Sequence, residues 1–496
     1  MEQYVAFFIA SEFRLAFPLV DPVLFKQTLD VAYGHVLGKG QTNGLSFEQI
    51  TAKACVFAFL SVISLLEEER TERFPEIPSI DTDMMAAKAQ MLLPLTIQAL
   101  DITSLQTSFM LCLYQLFLGQ VQSSAMLLAF ACRIMFMLGG HKLSNASWLP
   151  TPESRSGSGT TTPASVPVDM AERKRRQLRK LFWLCYSVDT DISLRTGQPP
   201  SIDDDHCDLT LPPGYVEIQY LDRQELEALK ERRLYPFNSH SHSHSNSDSS
   251  NPLQSFQPLQ SPSGTSSYTK VPPSLPTSTT EYLHIDETSI PILPGDLRLT
   301  LIKSKTCKLL YSASALRKSD AELLRDIREL DDELERWRLS VPEKFRPALS
   351  LPRTSPEVPR HRQHEEEKVT WPRHIYDGYG CGQVGQGQQG QRSGQPSRFD
   401  PAMSAESVRT ILINLQYHHL VATIHQATGR CRAWQSRSAA RMSGCRVLED
   451  VENASRPGEV LMEGVSSSLA LSVEASRSTL IYLRSVTRAL LGEAFW

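Results

Sequence analysis

Apolar residues return at three- and four-residue steps through much of this chain, the period of helices buried along one stripe. Leu105, Phe109, Leu113, Leu116 and Phe117 form one stripe that ends at Gly119. Met126, Leu127, Ala129, Phe130, Ile134 and Met137 form the next, which ends at Gly139–Gly140. So few residues separate the two that an antiparallel hairpin is expected. A third stripe, Leu178, Leu181, Phe182, Cys185, Val188 and Ile192, meets Gly197, Pro199 and Pro200. Glycine can take the left-handed conformation that ends a helix, and proline cannot continue one. Ser319 and Glu322 form a Ser-x-x-Glu capping box ahead of Leu323, Ile327, Leu330, Leu334 and Trp337, with Pro342 as the stop. Val408, Ile411, Leu412, Leu415, Leu420 and Ile424 resume the period late in the chain. The expected fold is all-α, a large helical domain with long disordered insertions.

The insertions interrupt the pattern three times. Ser144–Val168 is rich in Ser, Thr, Gly and Pro; Asn238–Thr280 alternates Ser and His before a Pro-Ser-Gln stretch. Leu351–Asp400 holds prolines, the charged run Glu365–Lys368 and a Gly-Gln tract. None has the apolar content to offset chain entropy. The expected organisation is an N-terminal helical part (1–143), a linker (144–168) and an aromatic helix with an acidic turn (169–237). A Ser/His/Pro linker (238–280), a helical part (281–350), a Gly/Gln/Pro linker (351–400) and C-terminal helices (401–496) follow. About 380 residues remain as the helical body, large for a single core.

Composition narrows the function. The 496 residues carry 51 basic and 55 acidic side chains, a net charge of −4, so no global basic field attracts duplex DNA. Met1–Ala10 lacks a basic leader and a cleavage site, and no secretory signal is expected. Gln115, Gln120, Gln122 and Arg133 interrupt the apolar region Phe109–Leu138. It falls short of the roughly 18 continuous apolar residues of a membrane helix, so no membrane partner is expected. The nine cysteines, Cys55, Cys112, Cys132, Cys185, Cys207, Cys307, Cys381, Cys431 and Cys445, are scattered and form no Cys-x-x-Cys pair. Several lie inside apolar helical patterns, as expected in a reducing compartment.

The stretch Leu178–Pro213 is the most specific. Its residues Trp183, Tyr186, Val188, Asp189, Gly197, Pro199, Pro200, Ile202, Asp204, Asp208, Leu211 and Pro212 resemble, in order, the signature of the fungal-specific transcription factor domain. That domain is the middle homology region that accompanies binuclear zinc-cluster DNA-binding domains. The family shows an aromatic helix, Leu/Val-Asp-Arg, Gly-Arg-Pro-Pro, an Ile, an Asp-rich turn and Leu-Pro. Here Thr190 and Gln198 replace the two arginines. Leu138–His141 resembles the family's Leu-Gly-Leu-His, with Gly140 for the second Leu. Fainter likenesses are Phe17–Pro18 with Phe25, Tyr417-His418-x-Leu420, and Ala475 with Arg477, where Ser476 stands for a second Ala.

The resemblance implies a regulatory domain controlling transcription by RNA polymerase II in a fungal nucleus. Transcriptional co-regulators are the implied partners; a homodimer and a small-molecule effector stay open. A zinc cluster takes six closely spaced thiolates from one short segment, which these cysteines do not provide. DNA contact is therefore expected only through a missing or partner zinc-cluster domain, and no cofactor is expected in this chain. A truncated chain, favoured by the abrupt end at Trp496, a natural variant and a partner subunit are the open explanations.

Other groupings carry rival readings. Asp204, Asp205 and Asp208 spell the DDxxD by which all-α terpenoid synthases hold magnesium and a diphosphate. Pro199, Pro200, Pro212 and Pro213 bracket that run, so helical register is not expected and a solvated or capping turn is favoured. A non-catalytic helical scaffold is the other rival. Asp189 needs a partner if buried, and Arg195 is the local candidate for an ion pair. Arg173, Lys174, Arg175, Arg176, Arg179 and Lys180 fit an import signal or the wet first turns of the aromatic helix. His240, His242 and His244 lie in a linker. Leu323–Trp337 spans about two heptads, too short to assign a coiled coil, so packing within the chain is expected.

Overall fold

The computed structural model describes residues 1–11, 13–34, 46–66, 70–71, 74–98, 100–142, 170–212, 215–220, 293–349, 405–436 and 457–490. The three insertions, with His240, His242, His244, Pro213, Cys381 and Cys445, lie outside the described residues. The described residues are helical and contain no strand, as the apolar period predicts.

Side-chain caps mark where most of the helices begin. After α1 (Glu2–Ala10), Asp21 caps α2 (Pro22–Tyr33) by accepting the Val23 and Leu24 amides. Ser46 and Gln49 form a capping box on α3 (Phe47–Ile63). Asp81 and Asp101 cap α4 (Thr82–Thr96) and α5 (Ile102–Phe117). Helix α6 (Val121–Met137) returns beside α5 as the expected hairpin, and the helix ends at Gly119 and Gly139 have φ of +74° and +77°. Helix α7 (Met170–Thr196) is the aromatic helix. Asp296 caps α8 (Leu297–Thr306), which runs into a π turn at Cys307–Tyr311. The Ser319–Glu322 box opens α9 (Asp320–Ser340), and α10 (Ala405–Gln426) and α11 (Pro457–Leu490) pack together.

These helices build two cores. The first gathers Phe7, Phe8, Phe59, Phe109, Met135, Phe182 and Trp183 from α1 through α7. The second gathers Ile302, Leu310, Leu323, Leu330, Trp337, Leu420 and Ala475 from α8 through α11. Leu323, Ile327, Leu330, Leu334 and Trp337 are all buried, so the short heptad seam packs within the chain. Each fully buried Leu or Phe contributes about 1.5–3 kcal/mol. Among the described residues, the stretch with membrane-helix length and apolarity is Phe47–Leu66, not Phe109–Leu138: 20 residues with mean hydropathy 1.8, with 67% of the most apolar window packed inside the protein. Six of the seven described cysteines are buried and all seven are free thiols.

The cores meet at Asp296. Its carboxylate is wholly buried and accepts from Tyr220 Oη at 2.6 Å, Trp337 Nε1 at 2.9 Å and Arg298 Nη2 at 2.7 Å. Helix α8 gives Leu297 to the first core and Leu299 to the second. The approach to Asp296 is tightly held. Leu293 has φ of +59° and donates its amide to the Leu15 carbonyl at 3.0 Å. Gly295 has φ of +134°, which strains any L side chain, and a Cβ there would also lie 2.3 Å from Gln416 Oε1. Gly140 is less tightly confined: a Cβ there would lie 3.2 Å from both the Leu178 and Met135 side chains.

Asp296→Ala removes the buried carboxylate that a partly exposed guanidinium, a phenol and an indole share. A loss of about 3–5 kcal/mol is expected in urea unfolding. Gly140→Leu, which restores the family residue, is expected to cost about 1–3 kcal/mol by overpacking against Leu178 and Met135.

Candidate functional site

Helix α7 is buried along much of its length, so many of its polar groups find partners in other elements. Arg173 Nη1 meets Asp21 Oδ2 at 2.8 Å, with both side chains buried. Gln177 Nε2 donates to the Pro18 and Leu19 carbonyls, each at 2.9 Å. Arg179 is 1% exposed, and its guanidinium lies 4.5 Å and 4.9 Å from the Phe182 and Trp183 ring centres. It donates to the carbonyls of Asp208 at 2.7 Å, Thr210 at 3.3 Å and Gly140 at 3.4 Å, and burial pulls its pKa down to about 10. The basic run is therefore only partly a wet face. Arg175 and Arg176 pair with Glu172, but Arg173 and Arg179 are structural.

The C-terminal end of α7 forms an acidic corner. Gly197, at φ +71°, ends the helix, and Pro199 and Pro200 are exposed as the chain turns. Ile202, 2% exposed, returns into the first core, and its amide donates to Asp189 Oδ2 at 2.9 Å. Burial raises the Asp189 pKa above 3.8, opposed by the Ile202 amide and by the Ser201 amide and hydroxyl. The expected ion pair between Asp189 and Arg195 does not form. Arg195 is exposed, and backbone amides already occupy the carboxylate. Thr190 bonds its own helix at the Tyr186 carbonyl, 2.8 Å away, and Gln198 is exposed.

The turn is of the capping and partly solvated kind that the bracketing prolines predict, with Asp203, Asp205 and His206 exposed. Asp203 caps a single 3-10 turn at Asp204–His206. Asp204 accepts from Tyr186 Oη at 2.9 Å, while Ser304 Oγ lies 2.9 Å and 2.8 Å from its two carboxylate oxygens. Lys308 Nζ reaches Asp205 at 2.8 Å, and Lys303 Nζ reaches Asp191 at 2.7 Å. Burial lowers the Lys303 pKa, opposed by Asp191. Burial and Lys303 push His419 down to about 4. The Asp208 amide donates to the His141 carbonyl at 2.8 Å, and Asp208 Oδ1 accepts the Thr210 amide at 2.9 Å. The buried Pro212 closes the corner, its carbonyl accepting the Tyr215 amide at 2.9 Å.

The structure thus assembles most of the signature residues into one junction. Trp183 and Tyr186 provide the aromatic floor, and Asp189, Ile202, Asp204, Asp208 and Pro212 tie the return chain to it. The DDxxD carboxylates serve three different partners and do not converge as a diphosphate–magnesium site requires. Among the described residues no group of three His, Cys, Asp or Glu side chains could hold a metal. Sequence reasoning missed Lys303, Ser304 and Lys308. No local pattern sets these three apart, since α8 also carries Arg298, Thr300, Lys305 and Thr306, and Lys308 lies in the π turn beyond it.

The model of the fungal specific transcription factor domain matches residues 22–339, and the chain belongs to that family. Two similar proteins are ABC-transporter-regulating transcription factors, one from Aspergillus fumigatus and one from Aspergillus oryzae. Each is 28% identical over 253 residues, 51% of this chain and 19% or 20% of the relative, so the match spans about one fifth of those proteins. No solved structure matches.

A carboxyl whose folded pKa is raised gives a contribution fully present below about 3.8 and lost as pH rises through the folded value. Asp189→Asn is therefore expected to gain on the wild type in unfolding free energy as pH rises from about 4 to 7. Asp189→Ala, which orphans the Ile202 amide, is expected to cost about 1–3 kcal/mol. Urea titrations of the three proteins at several pH values test both.

Proposed function

We propose that this chain is the regulatory helical body of a fungal transcription regulator that acts on RNA polymerase II promoters from within the nucleus. The observation that carries the reading is the closed corner at Asp189–Pro212, whose signature residues interlock inside a chain belonging to the transcription factor family. Its polar groups are spent on holding helices together, which suits a body that transmits state rather than one that performs chemistry. DNA contact on this reading comes from a zinc cluster outside these 496 residues, in the same protein or a partner. Transcriptional co-regulators are the protein partners. The names of the two Aspergillus relatives make ABC-transporter genes the first targets to examine.

Two measurements test this reading. Fused to an unrelated DNA-binding domain, the chain is expected to change a polymerase II reporter several-fold in a filamentous fungus, and the tagged chain to accumulate in nuclei. Deleting the gene is expected to alter ABC-transporter transcripts. A nuclear-excluded chain with a silent fusion would overturn the transcriptional reading. Unchanged transporter transcripts alone would remove only the target assignment.

A further inference from the structure

Helix α9 ends at Ser340, and three arginines gather there. Arg298 of α8 donates from Nη1 to Ser340 Oγ at 3.0 Å, while its Nε and Nη2 stay on Asp296. Arg346, beyond the helix, spans the residues on either side of Ser340. Its Nη2 donates to the Leu339 carbonyl at 3.3 Å and its Nε to the Val341 carbonyl at 3.2 Å. Arg338 stands two residues before Ser340 and is held by Glu335 at 2.7 Å. Ser340 is exposed, with exposed Leu339 before it and exposed Pro342, Glu343 and Lys344 after it. Its hydroxyl donates to the Trp337 carbonyl at 2.6 Å.

Arginine at a helix C-terminus is favourable in itself, because it answers the last carbonyls. That accounts for Arg346. It does not account for Arg298, already paired with Asp296, turning its third nitrogen to a neutral hydroxyl oxygen. A phosphate attached at a helix C-terminus is disruptive unless arginines meet it. At Ser340 they are in place beforehand.

We propose that Ser340 is a phosphorylation site and that the phosphoserine clamps the end of α9 to Arg298 and Arg346. Arg336 and Arg338 stand four and two residues before Ser340, and Val341 rather than a proline follows, which suits an arginine-directed serine kinase. Ser340 Oγ attacks the γ-phosphorus of MgATP and the bond to the β–γ bridging oxygen breaks. ADP leaves, and the hydroxyl proton passes to the base of the kinase. Val341 is buried, so the kinase takes Ser340 when the last turn of α9 frays. The dianion then faces Arg298 Nη1 and the fork of Arg346, exchanging one neutral bond to Trp337 for charge-assisted ones. Arg298 keeps Asp296 on its other nitrogens, so the clamp tightens the junction between the two cores. The modification stands on this geometry and not on the transcriptional reading.

The test incubates the full chain with an arginine-directed serine kinase and MgATP, maps the product by mass spectrometry and melts it. Phosphate on Ser340 is expected, with a Tm about 1–3 °C above the unmodified chain and a return to the original Tm after phosphatase. Both the phosphate at 340 and the rise are expected to be absent from Ser340→Ala treated in the same way. Arg346→Gln is expected to keep the modification and lose most of the rise. No phosphate on Ser340 in the wild type overturns the site. An unchanged or lower Tm, or an undiminished rise in Arg346→Gln, overturns the clamp. If Arg346→Gln does not fold, hydrogen exchange of the wild type decides. Slower exchange at 336–341 on phosphorylation is expected, and unchanged exchange there overturns the clamp.

Discussion

The enclosure of α7 is the constraint from which the rest of the first core follows. This helix of 27 residues is buried along most of its length and exposed only at Ala171, Lys174, Arg175, Arg195 and Thr196, so few of its polar groups are left to water. Arg173, Gln177, Arg179, Asp189 and Asp191 must each be answered by another element, and each answer fixes where that element lies. Asp21 meets Arg173 while capping α2, which sets the entry of the second helix. The Pro18 and Leu19 carbonyls meet Gln177, which holds the chain before it. Arg179 gathers the carbonyls of Gly140, Asp208 and Thr210, so the end of the α5–α6 hairpin and the acidic return share one cation.

The departures from the family pattern make sense in this setting. Where the family has arginines at Thr190 and Gln198, this chain meets its acidic groups from elsewhere. Backbone amides hold Asp189, Ser304 and Tyr186 hold Asp204, and Lys303 of α8 and Lys308 of its π turn hold Asp191 and Asp205. The charge that could have come from α7 itself is supplied by α8, more than a hundred residues later in the chain. Gly140 shows the same economy in steric terms, because Leu178 and Met135 already fill the space of a side chain.

Much of this was legible before any coordinates. The helix ends at Gly119, Gly139 and Gly197, the capping box at Ser319 and the buried seam on α9 each rest on local chemistry: a left-handed glycine, a short side-chain bond, a strict period. The first four helices were not legible. Helix α3 is apolar almost all round and shows no stripe, although its capping box at Ser46–Gln49 was there to be seen. The pairing of Asp189 with Arg195 failed because proximity along a helix says nothing of what packs across from it.

The amino-acid sequence by itself determined the all-helical class, the ends of many helices, the location of the corner at Gly197–Pro212 and the family. These depend on neighbours within a few residues, or on an ordered motif. The tertiary structure alone decided what each aspartate does. It brought Ser304, Lys303 and Lys308 to the corner and set Asp296 between two cores. Such outcomes depend on which groups burial brings within about 3 Å of one another, and residues a hundred positions apart carry no local record of that distance.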